Sequence, residues 1–295
     1  MVIDCHFHWD ELITTPDDLI RTMNESGVDK ISLMASMNQP VPLPHPAVSW
    51  LMRSFLERPG FREIPRMLLS NFSENGDIKL PGGEYEIFRD PDNDVVFKLV
   101  DQYPGKFLGW VFVNPRGEKI PTEELARFSS NKNLAGGKAH PFWHRYSPIK
   151  LQPVAAELVK LRKPLLIHCD FSPFEQYREL SRLFPELKII LAHAAFPCYS
   201  ETWKRIKDIQ NMFVDISQIS YVSGRMTRRV IEFLGADRCL FGTDGPTGTH
   251  EKGVPINYGY TIRRFESLFT DPGIRRRVLG ENFAEMVGIQ ENGRS

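Results

Sequence analysis

Short, almost continuously apolar runs recur along the chain, each followed by a segment in which apolar residues return every three or four positions. The runs are "MVIDCHFH", "VDKISLMA", "KFLGWVFVNP", "LAGGKAH", "KPLLIHC", "LKIILAH", "NMFVDIS" and "RCLFGTD". Runs of this length and continuity read as strands buried on both faces. Between them, Val96, Leu99, Val100 and Tyr103 form one helical stripe, and Met226, Val230, Phe233 and Leu234 form another. From Lys138 onward the polar residues at the ends of the runs, Lys138, His168, His193, Asp215 and Asp244, are about 22 to 30 positions apart, close to the length of one βα unit.

Eight strands alternating with helices predict an α/β fold, and the count favours a (β/α)8 TIM barrel spanning 1–295 as a single domain. An open doubly wound sheet would be expected to carry a glycine-rich turn after its first strand. The chain reads "HFHWDEL" there, without a glycine. The rhythm breaks once, after the second strand, where residues 38–90 replace a simple helix with Pro- and Gly-punctuated sequence. An insertion leaving that strand emerges on the C-terminal face of a barrel, where active sites lie, and is expected to form either a lid or pocket wall or a plain surface or dimer-contact excursion. The segment "RRRVLGENFAEMVGI" predicts a C-terminal helix, with Asn282 and Glu285 at the spacing of a capping box.

Composition narrows the possible partners. Lys plus Arg and Asp plus Glu both number 37, which gives no electrostatic reason to expect nucleic acid. No apolar stretch is long enough to span a membrane, so the expected partner is a small-molecule substrate. The four cysteines form no CxxC pair, and the N-terminus lacks the basic and hydrophobic regions of a secretory signal; both point to a cytoplasmic location with free thiols. A homo-oligomer, specifically a dimer, is expected only by analogy with barrel enzymes in general.

The chemistry gathers at the strand ends. His6 and His8 lie two apart and should share a face, while His168, His193 and Asp244 end later runs. In a parallel barrel all of them surround one mouth. A lone HxH pair, a lone histidine or an Asp in "GTDGP" has an ordinary structural explanation, but the set together would leave several buried polar groups each needing its own partner. His6, His8, His168 and Asp244 are therefore assigned as ligands of one divalent metal, Zn2+ with Mn2+ as the alternative, and His193 as general base or acid. Cys5 and Cys169, next to ligands in sequence, should alternate away from the metal.

The motifs "IDCHFH", "GGKAHPFWHRYSP", "LLIHCD", "LAHAAFP", "MFVDIS", "GADRCLFGTDGP" and "RVLGENFAEMVGI" occur in an order that resembles the amidohydrolase superfamily. The resemblance is to its amidohydrolase-2 branch, which includes aminocarboxymuconate-semialdehyde decarboxylase, aromatic-acid decarboxylases and pyrone-dicarboxylate lactonases. It implies a (β/α)8 barrel, usually with one metal at the positions of His6, His8, His168 and Asp244, and a catalytic histidine at His193. In binuclear branches a strand-four lysine is carboxylated and bridges two metals; Lys138 is weighed for that role and set aside in favour of a single metal.

The leading expectation is a metal-dependent hydrolase that uses metal-activated water on a small carboxylate, lactone, ester or amide, with Asp244 doubling as proton acceptor. The alternatives are non-oxidative decarboxylation of an aromatic or unsaturated acid, a metal-free lactonase and a non-catalytic binding protein. Arg145 and Arg225 are candidates for holding a substrate carboxylate, weighed against solvated surface positions, and Trp9 and Phe171 for an apolar wall, weighed against core packing.

Overall fold

The computed structural model describes residues 1–42, 45–80, 82–246 and 257–289. Its eight long-range strands are β1 (Ile3–Trp9), β2 (Lys30–Ala35), β3 (Phe107–Phe112), β4 (Leu134–Ala139), β5 (Leu165–Ile167), β6 (Ile189–Leu191), β7 (Met212–Asp215) and β8 (Cys239–Leu240). They form one sheet in chain order, and every neighbouring pair is parallel. The ring closes through the segment after β8: Cys5 N donates to Phe241 O at 3.0 Å, Asp244 N to His6 O at 2.8 Å and His8 N to Gly245 O at 2.8 Å. The architecture is the predicted (β/α)8 barrel. Several strands are shorter than the apolar runs, so His168, His193 and Asp244 stand just beyond the ladders.

The helices follow from local chemistry. The first, Pro16–Ser26, begins with Thr15 accepting from Asp18 N, has Pro16 at its first position and ends at Gly27 in the left-handed conformation. In the helix Asn93–Gln102 the predicted Val96, Leu99 and Val100 are buried, and in Gly224–Leu234 Met226 and Val230 are. This outer layer and the outward strand residues, such as Phe7, Leu33, Val111 and Ile167, form the larger core.

A second core fills the barrel itself: Ile3, Cys5, Met34, Leu108, Trp110, Ala135, Leu166, Ile190 and Leu240, with Phe283, Ala284, Met286 and Val287 of the C-terminal helix packed on it. Two irregularities shift the alternation of inward residues. Between Asp4 and Phe7 β1 carries a bulge against β2, so Cys5 belongs to the inner cluster and does not alternate away as expected. The register of β3 and β4 also slips at Gly136, whose φ is +157° and whose added Cβ would meet Pro164 O at 2.2 Å. Past that slip Lys138 is fully buried.

The capping box is a second correction. Asn282 has helical dihedrals within continuous helical backbone and caps nothing; its amide donates to Ala236 O and Cys239 O, tying the C-terminal helix to the segment that leads into β8.

The insertion folds into a helix (Pro46–Leu56), a short helix (Glu63–Leu69) and a small antiparallel hairpin of Ile78–Leu80 with Gly83–Tyr85; its positions 43, 44 and 81 lie outside the described residues. It docks on the loops that follow β6 and β7. Arg53 donates to Ser220 O, and Arg62 donates to Leu56 O at 2.7 Å, to Cys198 O at 3.0 Å and to the Glu201 carboxylate. These contacts seat the insertion on the mouth side of the barrel. Trp50, by contrast, is 62% exposed. No described helix is long and apolar enough to cross a membrane.

Candidate metal centre and active site

β1 delivers His6 and His8 to the mouth, and their ring centres lie 5.4 Å apart. Asp244, held with φ +58° just after β8, places Oδ1 at 3.2 Å from His6 Nε2 and 3.6 Å from His8 Nε2. Its Oδ2 accepts from Gln218 Nε2 at 2.9 Å. Lys138 Nζ is 3.3 Å from His6 Nε2. His6 and Lys138 are sealed from solvent, whereas the side chains of His8 and Asp244 keep 21% and 13% of their surface exposed. The centre is therefore reached from the His8 and Asp244 side.

The second nitrogen of each ring fixes what the first can do. His6 Nδ1 lies 2.9 Å from Asp215 Oδ2, His8 Nδ1 3.3 Å from Ala35 O and His168 Nδ1 2.8 Å from Cys169 O. Each partner is an acceptor, so each Nδ1 carries the proton and each Nε2 carries a lone pair. Such a partner on the far nitrogen is the usual support of a metal-bound imidazole. His6 Nε2, His8 Nε2 and Asp244 Oδ1 face one another, a donor set that a cation can bridge. The same triad meets the distance requirement for a metal, with all ligand atoms within 4.8 Å of one another. A divalent ion that favours nitrogen and oxygen ligands fits this donor set.

Among the described residues a second triad, His6, His193 and Asp215, also meets this requirement, and His168 belongs to neither. It joins the centre through ring contacts, packing 5.0 Å from His193 and 4.0 Å, stacked, from His140. His193 in turn stacks on His6 at 4.9 Å. His193, Ala194 and Ala195 all have left-handed backbone, with φ between +52° and +60°, which costs on the order of 1–3 kcal/mol per residue and is typical of functional sites.

Burial dominates the electrostatics. It pushes His8 and His168 down to about 3, with the Lys138 cation adding to the effect, and holds His6, His140 and His193 well below the ordinary histidine value. Burial also lowers Lys138 to about 8, opposed by Asp215 and Asp244, and raises Asp244 to about 7 against the pull of Lys138 and Gln218. These values describe the metal-free centre, in which the imidazoles are neutral and able to ligate.

Asp215 is the residue that sequence reasoning passed over. It is fully buried, and its carboxylate takes His6 Nδ1 on Oδ2, and His193 N, Ser217 N and Ser217 Oγ on Oδ1. The signal was its place at the end of "MFVD", in step with the other polar strand ends. Gln218 and Tyr221 had no such signal. Tyr221 lies edge-on to His193 at 5.7 Å and stacks on Phe196 at 4.5 Å.

The candidate substrate residues fall elsewhere. Arg145 is exposed, with its guanidinium over the Phe72 ring at 5.1 Å, and Arg225 is exposed in the first turn of Gly224–Leu234. Trp9 points outward into the larger core and lines a cavity of about 940 Å3 beneath the insertion, together with Asp10, Glu86, Asp90 and Asp92. That acidic cavity is lined by none of the clustered histidines. Phe171 meets Phe142 at 5.5 Å, one ring removed from His168.

The family profile Amidohydro_2, described as amidohydrolase, matches residues 83–289. The chain belongs to the amidohydrolase family. Solved structures similar to this amidohydrolase chain include the 2,6-dihydroxybenzoate decarboxylase from Rhizobium, with 15% identity, coverage of 98% of each chain and a TM-score of 0.61. The 5-carboxyvanillate decarboxylase from Sphingomonas paucimobilis shows 14% identity over 98% of this chain and 99% of that one, with a TM-score of 0.62. A putative 2-pyrone-4,6-dicarboxylic acid hydrolase from Pseudomonas putida shows 16% identity over 98% of each chain, with a TM-score of 0.63. At these identities the likeness is one of fold. No curated protein sequence matches significantly.

Proposed function

We propose that this amidohydrolase is a metal-dependent hydrolase of a small carboxylate, lactone, ester or amide. The observation that carries the reading is the convergence of His6 Nε2, His8 Nε2 and Asp244 Oδ1 beside the buried imidazole of His193. His6, His8 and Asp244 would hold one divalent ion, Zn2+ or Mn2+, with His168, at the end of β5 across the mouth, supplying a further Nε2. Such an ion, when bound, supplies Lewis-acid polarisation and water activation. The chain supplies the rest. Gln218 holds the outer oxygen of Asp244, His193 takes or returns a proton next to the reacting carbonyl, and Phe196 and Tyr221 form an apolar side to the mouth.

Non-oxidative decarboxylation is the second reading. The aromatic surround of Phe142, Phe196 and Tyr221 near His168 and His193 suits a planar unsaturated ring, and His193 could then protonate the carbon that loses carbon dioxide. Structures alike in fold include proteins described as decarboxylases and as pyrone-dicarboxylate hydrolases. A metal-loaded preparation offered pyrone dicarboxylates, simple lactones and hydroxybenzoates separates the two: acid release without carbon dioxide supports hydrolysis, and carbon dioxide release supports the lyase. Turnover that persists after complete metal removal points to the metal-free lactonase. No turnover on any class, with metal bound, would overturn both metal-dependent readings.

A further inference from the structure

The hydroxyl of Ser217 has two close partners that compete for its single proton, with His6 Nδ1 farther off at 3.4 Å. On one side is Asp215 Oδ1, to which Ser217 Oγ is closely hydrogen-bonded; on the other is His193 Nδ1 at 2.8 Å. All three residues are at least 98% buried, so water does not mediate the competition.

The carboxylate settles where the proton sits. Asp215 already accepts the His193 and Ser217 backbone N–H groups at 2.9 and 3.0 Å on Oδ1 and the His6 ring at 2.9 Å on Oδ2. An oxygen that accepts two backbone N–H groups carries no proton of its own, so Oδ1 is an acceptor and the Ser217 proton points to it. Ser217 Oγ must then accept from His193, and His193 Nδ1 must carry a proton. The direct distance from His193 Nδ1 to Asp215 Oδ1 is 4.0 Å, too long for a hydrogen bond, so the hydroxyl spans the gap.

We infer that Ser217 is a positioning residue that locks His193 in the Nδ1–H tautomer, leaving its Nε2 lone pair as the working end of the ring. One carboxylate thereby orients two stacked imidazoles with different tasks: His6 directly, as a metal ligand, and His193 through the serine, as the proton carrier. The left-handed backbone of His193 belongs to the same device, since its N–H is anchored on the same Asp215 oxygen. The catalytic half of this inference rests on the proposed role of His193; the tautomer does not.

The test reads the ring nitrogens by NMR in metal-free protein labelled with 15N-histidine, with the His193 signals assigned by their loss in His193→Gln. The native protein is expected to show a neutral His193 with protonated Nδ1. Ser217→Ala should move the two ring nitrogens toward each other as the tautomers mix, and Ser217→Thr, which keeps the hydroxyl, should restore them. A native His193 protonated on Nε2, or an unchanged pattern in Ser217→Ala, overturns the assignment even if the variants fold poorly, because the native spectrum alone decides the first point. On a substrate found with the panel above, Ser217→Ala should lower kcat by about 10- to 100-fold at nearly constant KM, with Ser217→Thr largely active. If no substrate is found, the hydrolase reading fails while the tautomer result stands.

Discussion

Nδ1 of His6 and Oδ2 of Asp215, separated by 209 positions in sequence, meet at 2.9 Å inside the barrel, with neither side chain exposed. The contact turns the other face of the His6 ring toward Asp244. Asp215→Asn keeps the size but can present an amide donor to the same nitrogen, allowing the wrong tautomer. The expected outcome is a 10- to 100-fold loss of metal affinity with the fold retained. Competition against a chromophoric chelator, with circular dichroism as the control for folding, measures it; undiminished affinity would show that the contact does not serve the metal.

Loading the centre should stabilise the protein, because the folded chain assembles ligands that the unfolded chain does not. Zn2+ at about 100 times its dissociation constant adds about 2.7 kcal/mol, a rise of roughly 4 °C in melting temperature for a chain of this size. His8→Ala and Asp244→Asn should abolish the rise. Scanning fluorimetry with and without Zn2+ reads both, and an equal rise in either variant would place the ion elsewhere.

His144 offers a pH effect separable from the metal. Burial lowers it to about 4, against the Phe88 carbonyl that accepts from its Nε2 at 3.1 Å. A histidine depressed in the folded state contributes stability that is full above about pH 6.5 and is lost as pH falls toward 4. Asp244, raised to about 7, has the opposite sign in the metal-free protein: its contribution is present at low pH and lost as pH rises through 7. Comparing His144→Gln with the native protein cancels that shared term. Between pH 7 and pH 5 the native protein should lose about 2 kcal/mol more than the variant in urea unfolding. Parallel losses would mean that His144 titrates normally.

Gly136 has no room for a side chain. Gly136→Ala drives a Cβ to 2.2 Å from Pro164 O at φ +157°, and should cost about 3 kcal/mol or more, or prevent soluble expression. Gly60→Ala, with no atom within 4 Å of its Cβ, is the control and should shift stability by less than about 1 kcal/mol. Urea midpoints that fall together in the two variants would contradict this account of the β3–β4 slip.

Arg62 is 8% exposed and joins the insertion to the loop after β6. Arg62→Ala removes the hydrogen bonds that cross to the Glu201 carboxylate and to Cys198 O, a loss of about 1.5–3 kcal/mol in docking. Limited proteolysis should then cut within residues 45–69 well before the barrel, with the melting of the barrel little changed. Resistance equal to the native protein would mean that other contacts hold the wall.

The barrel and much of its centre are legible in the sequence because buried parallel strands leave an uninterrupted apolar signature, and a polar residue closing such a run has little reason to be there except to face the mouth. That reasoning brings His6, His8, His193 and Asp244 to one mouth, where the structure places them side by side. It goes wrong for Cys5, because a bulge inserts one residue and reverses the alternation without any mark in composition. It goes wrong for Asn282, whose amide serves distant carbonyls where the local spacing looks like a cap. Ser217 and Gln218 follow β7 with unremarkable side chains, and their roles come from partners 24 and 26 positions away. Only loop position points to Arg145 and Arg225, and an arginine after a strand can turn outward as easily as inward.

The seam between β1 and the segment after β8 joins residues about 240 positions apart: Asp4 takes the Thr243 hydroxyl and backbone N–H, and the Tyr258 hydroxyl at 2.7 Å. His6 and His8 stand on one side of that seam and Asp244 on the other. Bringing together ends so remote is the slow kind of contact, since chain entropy opposes it until the intervening strands are in place. A half-wound ring therefore has no cation site to offer, and the capture of an ion during refolding would time the moment at which the circle shuts.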